Sequence, residues 1–217
     1  MSDYYDLGGY SCKITTHSAQ AQLWFDRGLI WTYGFNHQEA ISCFQKALTF
    51  DADCAMAYWG LSYASGPNYN MPWELHDDKG RAEALAQAYD AAQSALARCK
   101  GLSRPEQLLI EALSARYPQR DISSDMQLWD AEFADAMRSA FARCPDHLDL
   151  RSVYVESLLT LTPWKMWDLQ TGQPADGAAT LEAQEALEWV LSNDPAAMSH
   201  PGLLHLYVHL MEMSPTP

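Results

Sequence analysis

The spacing of the apolar residues constrains this chain most. From about residue 18 onward they recur at every third or fourth position, and the Val/Ile/Thr alternation of strands is nearly absent. A half-buried strand turns every second side chain to a core, whereas a helix turns positions i, i+3, i+4 and i+7, so the pattern specifies helices. The stops and starts are legible too. Asn36-x-x-Glu39 and Ser103-x-x-Glu106 have the form of capping boxes, in which side chains satisfy backbone N–H groups left without partners in a first turn. Pro105 and Pro201 stand where first-turn prolines belong, and Pro118, Pro145, Pro163 and Pro195 mark ends or connections. The spacing predicts helices over 18–34, 37–50, 53–65, 81–99, 105–117, 123–143, 146–162, 180–193 and 200–213. Two connections are long, 66–80 and 163–177. The rest are short, which makes sequential helices antiparallel neighbours.

One stretch carries a spacing more specific than helicity. Trp24, Gly28, Trp31, Ala40, Phe44 and Ala47 alternate large and small side chains across two successive helices. The small residues Gly28 and Ala40 fall where paired helices must approach closely. Advancing by about 34 residues lands on Tyr58, Leu61 and Ser62, a second helix in phase. Weaker copies follow: Phe133, Met137 and Ala140 precede Cys144-Pro145, and Ala183, Leu187 and Val190 precede Asp194-Pro195.

On these residues the chain resembles the tetratricopeptide repeat (TPR) family, departing from its pattern at Arg27 and Ala52, where Leu and Pro are usual. The runs beginning at Trp24, Phe35, Cys54 and Gly66 further resemble the N-terminal part of long bacterial and fungal TPR proteins, a subgroup that supplies no established reaction. The resemblance implies an all-α fold, a right-handed solenoid of about four and a half antiparallel helical hairpins. A single domain would span 1–217, with an irregular segment over 1–16. The pattern stops after the first helix of a fifth hairpin, so a piece of a longer array is expected. Leu203, Leu206, Leu210 and Met213 would then be partly uncovered, an end able to self-associate.

Charge narrows the partners. With 28 acidic against 14 basic side chains the formal net charge is −14. Phosphate backbones and anionic membrane surfaces call for clustered Lys and Arg, so neither nucleic acid nor a membrane is expected. Met1 to Tyr10 lacks a signal peptide's basic start and apolar core, and no apolar run reaches about 18 residues. The five cysteines form no C-x-x-C pair, which fits reduced thiols in a cytoplasmic protein, with Cys43 and Cys54 as small buried hydrophobes.

Two functional readings follow, and the sequence leaves open whether either includes catalysis. In the first, the scaffold binds a protein, a peptide or a small molecule. TPR geometry places Phe25, Trp59 and Tyr63 in a concave groove, and the inserted loop adds Asn68 and Asn70. In the second, a divalent transition metal (zinc, copper or iron) is held by His200, His205, His209 and Glu212. His205 and His209 lie one helical turn apart and Glu212 shares their stripe, a reasonable donor set for such ions. Leu206 stands where an H-E-x-x-H protease has its glutamate. His37 is a possible further ligand, and its convergence with His76 and the C-terminal histidines would strengthen this reading.

Overall fold

The computed structural model describes residues 4–216; residues 1–3 and 217, part of the expected irregular start and of the chain's end, lie outside it. Among the described residues the regular structure is helical. The α-helices are α1 (Ala19–Tyr33), α2 (His37–Phe50), α3 (Ala55–Ser65), α4 (Asp78–Ala97), α5 (Arg104–Arg116), α6 (Met126–Arg143), α7 (Leu148–Leu159), α8 (Thr180–Asn193) and α9 (Pro201–Met211). Short 3-10 turns at Trp73–Leu75 and Pro195–Ser199 precede α4 and α9. No helix is long and apolar enough to cross a membrane. All five cysteines are free, with Cys43 and Cys54 buried.

Each predicted helix is present, and the shifts at the ends come from caps. Asp77 accepts the Gly80 amide at 2.6 Å, so α4 begins earlier than its apolar pattern. The Ser103 box forms, with Glu106 accepting the Ser103 amide at 2.9 Å. The Asn36 box forms by half. Asn36 accepts the Glu39 amide at 3.4 Å, but Glu39 itself accepts the hydroxyl of Tyr4 at 2.7 Å.

Successive helices pack on one another along the chain. Small residues set the closest approaches, as expected for Gly28. A Cβ on Gly28 would lie 2.7 Å from the Phe44 ring, and one on Gly60 would lie 2.4 Å from it. One buried ring on α2 thus wedges between α1 and α3, and neither position has room for a methyl group. On α9 the equivalent role falls to Gly202, whose Cβ would meet Ser152 Oγ at 2.4 Å and Tyr33 at 2.7 Å.

The row of helices curves until α9 packs against α1 as well as α7 and α8. This closure corrects two expectations. Phe25, Trp59 and Tyr63 do not line an open groove: all three are buried. Phe25 packs on Phe44, Trp59 stacks on Tyr63 at 5.2 Å, and the Tyr63 hydroxyl donates to Glu156 on α7 at 2.5 Å. Facing helices fill the interior with one another's side chains. Likewise Leu203, Leu206 and Leu210 are buried, and Trp167 donates its indole N–H to the Leu210 carbonyl at 2.6 Å. Met213 alone of that set remains half-buried.

Candidate functional site

The histidines of α9 and its cap separate into two groups beside the α1–α9 contact. His200 belongs to the first, away from His205 and His209. It caps α9, its Nδ1 accepting the Leu203 amide at 3.2 Å, so its proton sits on Nε2. That nitrogen lies 3.4 Å from Asp149 Oδ1 and 2.9 Å from the Tyr10 hydroxyl. Tyr10 and Tyr33 both donate to Asp149 Oδ1, Tyr33 at 2.7 Å. Burial pushes the Asp149 carboxyl upward in pKa, but these hydrogen bonds, led by His200, outweigh it and hold the group below the usual carboxylate range.

Cys12, His147 and Asp149 bring three ligand-type atoms within 4.8 Å of one another beside this network. Their chemistry opposes a cation. His147 Nδ1 accepts the Leu150 amide at 3.2 Å, which leaves its Nε2 protonated and unable to ligate. Burial, reinforced by Asp149, pushes the Cys12 thiol up, which disfavours the thiolate that a cation would require. The N-termini of α7 and α9 both converge here, and their dipoles favour the anion already present. This cluster is an anchor. Tyr10 and Cys12 reach Asp149, Ser11 reaches Asp26 at 2.7 Å, and Thr15 reaches Glu106 at 2.7 Å, which binds the segment before α1 to three helices.

The second group holds the other predicted ligands. His205 Nδ1 meets the main-chain oxygen of Tyr33 at 2.5 Å. A carbonyl oxygen can only accept, so His205 carries its proton on Nδ1. His209 Nδ1 meets Glu212 Oε1 at 2.9 Å, and an exposed carboxylate likewise accepts. With both Nδ1 atoms so engaged, the two Nε2 atoms face one another at 3.1 Å, a separation that calls for a proton or another cation between them. Glu212 supports His209 from behind and does not share its ligating side.

Aromatic rings enclose the pair. Phe35 lies 4.7 Å from His205 and stacks on His209 at 5.4 Å, while Tyr69 packs on His209 at 4.9 Å. Trp164 then meets Tyr69 edge-on at 6.1 Å. The two long connections thus come together over α9. Phe35 and Trp164 are the two non-glycine residues with positive φ among those described, +56° and +58°. Left-handed backbone costs a bulky residue about 1–2 kcal/mol, and such strain gathers at functional positions. Of these two, Phe35 touches the histidine pair, and Trp164 reaches Tyr69, which packs on it.

His37 stands on the far side of Phe35, 6.0 Å from its ring, and so joins the assembly without reaching the pair. Asn68 braces it. The Asn68 side-chain oxygen accepts the Asn70 and Met71 amides at 2.9 and 3.1 Å, which fixes the amide orientation, and its Nδ2 donates to His37 Nδ1 at 3.2 Å. Asn68 is buried, whereas Asn70 is exposed at the turn. Burial first, then nearby Arg116, lowers the His37 pKa to about 4 despite the Ala64 carbonyl. Phe35, Tyr69 and Tyr33 escaped the sequence-based site. Nothing local marks a phenylalanine for a left-handed turn, and the Tyr33 contribution comes from its main chain.

No protein-family model matches the chain, and neither a curated protein nor a solved structure is detectably similar to it.

Proposed function

We propose that this chain is a helical-hairpin array of TPR type that holds a divalent transition metal ion between His205 and His209. The observation that carries this reading is the pair of Nε2 atoms facing each other at 3.1 Å while both Nδ1 atoms are committed elsewhere. Two lone pairs at that distance repel unless a cation, a proton or a metal ion, lies between them. An ion about 2.0–2.1 Å from each nitrogen would subtend an angle of roughly 100°, near what tetrahedral and octahedral centres accept. The backing acceptors, a carbonyl for one imidazole and a carboxylate for the other, are the outer partners that orient ligating histidines. Imidazole donors suit zinc, copper and nickel, with copper(II) tightest in the general affinity order. Two protein ligands leave the remaining positions to water or to a bound molecule. The TPR part of the reading is supported by the sequential hairpin packing and by the Gly28–Phe44 close approach.

Isothermal titration of tag-free protein with copper(II) and zinc(II), with electron paramagnetic resonance of the copper form, tests it. One ion per chain and nitrogen hyperfine structure from two imidazoles are expected, both abolished in a His205→Ala/His209→Ala variant. Stoichiometric binding that survives that double substitution, or none in the parent, sinks the proposal.

A second reading, docking of a peptide, rests on a hollow of about 420 Å³ between α6, α7 and α8. Phe141 and the half-exposed Trp189 line it, with Arg151 held between their rings at 4.7 and 4.9 Å. A partner that binds Trp189→Ala as well as the parent would count against it.

A further inference from the structure

The hollow between α6, α7 and α8 is walled by aromatic rings. Phe141 of α6 stacks on Tyr154 of α7 at 4.5 Å, and Trp189 of α8 joins the lining with 52% of its surface exposed. Tryptophan is usually well covered in a folded chain, and an open indole beside a concavity is the kind of anchor that dominates binding surfaces. Arg151 lies between Phe141 and Trp189, and its guanidinium donates to the Ala186 and Pro145 carbonyls, each at 2.8 Å. Arg151 is buried and so engaged that it builds the wall and offers an incoming anion little.

Charge selects the occupant. Three carboxylates, Asp146, Glu182 and Glu185, line the hollow against the single guanidinium of Arg151. Glu182 is engaged: Arg138 donates to its two oxygens at 2.7 and 2.8 Å, and the Tyr154 hydroxyl donates at 2.7 Å. Arg138 has a second acid, Asp135, at 2.6 Å. Arg151 likewise feels two, Asp146 and Asp194, which oppose the lowering of its pKa by burial. Each of these cations is therefore outnumbered by acids. The exposed side chains of Asp146 and Glu185 make no hydrogen bond or ion pair with any described residue. The hollow thus keeps an excess of negative charge, on a chain whose formal net charge is −14. An acidic peptide would meet like charge at its rim, whereas a basic one would be drawn to it.

We propose that this hollow receives an arginine side chain of a basic peptide segment, its guanidinium lying against the exposed indole of Trp189 and pairing with Asp146 and Glu185. The proposal rests on the reading of the hollow as a peptide-docking site and is independent of metal binding. Arginine suits the site better than lysine, because a planar guanidinium stacks on an indole while its N–H groups pair with carboxylates. Arg151 already stacks on the same ring. An apolar residue beside the incoming arginine would add contact with the half-buried Phe141.

Selection from a random peptide display library on the intact chain, counter-selected on Trp189→Ala, separates the two levels. Peptides with an arginine beside an apolar residue should be enriched. Synthetic copies titrated by calorimetry should lose at least about tenfold in affinity when that arginine becomes citrulline, which keeps the shape and drops the charge. An Asp146→Asn/Glu185→Gln variant should lose a similar factor, and its affinity should fall less between about 0.05 and 0.5 M salt than the parent's does. Circular dichroism melts would confirm that each variant is folded. The His205→Ala/His209→Ala variant should bind as the parent does. Enrichment of neutral or acidic peptides that depend on Trp189 would leave docking intact and overturn the basic-partner proposal. No peptide that distinguishes the parent from Trp189→Ala would overturn both. Full affinity of the citrulline peptides, or of the folded Asp146→Asn/Glu185→Gln variant, would also overturn the proposal.

Discussion

The ring of His205 on α9 is fastened to the main chain of Tyr33 at the end of α1, Nδ1 to carbonyl oxygen at 2.5 Å, across 172 positions of sequence. This contact joins the last helix to the first and also decides which nitrogen of His205 faces His209. A structural tie and the chemistry of the proposed site are thus the same hydrogen bond.

If Glu212 orients His209, its charge matters without any contact to the metal. Glu212→Gln should weaken metal affinity by about 10- to 100-fold while leaving the melting temperature nearly unchanged, because the residue is half-exposed. A calorimetric titration paired with a thermal melt would show this. Unchanged affinity would mean that His209 is held by its ring contacts alone.

The Phe44 wedge predicts intolerance at Gly60. Gly60→Ala places a Cβ 2.4 Å from a fully buried ring that has nowhere to move. The expected cost is about 1–3 kcal/mol in urea denaturation. Phe44→Leu in the same chain should recover part of it, a coupling that independent defects would not show.

Asp149 is the acceptor on which the α1–α7–α9 junction depends. Asp149→Ala strands Tyr10, Tyr33 and His200 together, and should cost about 3–5 kcal/mol. Its folded pKa is below its unfolded one, so its contribution is complete above the ordinary carboxylate range near 3.8 and lost as pH falls through and below it. Denaturation midpoints measured from pH 6 downward would follow this loss, and the variant's curve should be flatter at the acid end.

His37 acts in a neighbouring window. Its pKa falls from 6.5 in the unfolded chain to about 4 in the folded one, so between those values the unfolded state binds more protons. Stability therefore drops as pH falls from 6.5 to about 4, by as much as about 3 kcal/mol from this group. His37→Gln should remove that slope. A slope unchanged in the variant would assign it to other groups.

Thiol chemistry offers a check on packing. Cys43 and Cys54 are buried, and burial pushes the Cys54 thiol up to about 11. Neither should react with a neutral disulfide reagent in the native state at pH 8, and both should react at once in denaturant. Mass spectrometry of the labelled chain would identify the sites.

Helix number, caps and close contacts were legible because each depends on a few neighbouring residues. Asp77, Ser103 and Pro201 act within one turn, and Gly28 announces a tight approach by having no side chain. The i, i+4 spacing likewise placed His205 and His209 on one stripe, and the Asn68 loop was recognisable as an insertion. These readings need only the period of the helix.

What the chain as a whole does was decided elsewhere. The curvature that returns α9 to α1 buried Phe25, Trp59 and Tyr63, which hairpin geometry alone would have left facing a groove. The same curvature separated His200 from His205 and seated it on Asp149. Protons were placed by partners distant in sequence: Tyr33 for His205, and Asn68 for His37. Local spacing fixes which side chains share a face. Which of them meet, and which nitrogen is left with a lone pair, depends on contacts between residues far apart in the chain, and those exist only once it has folded.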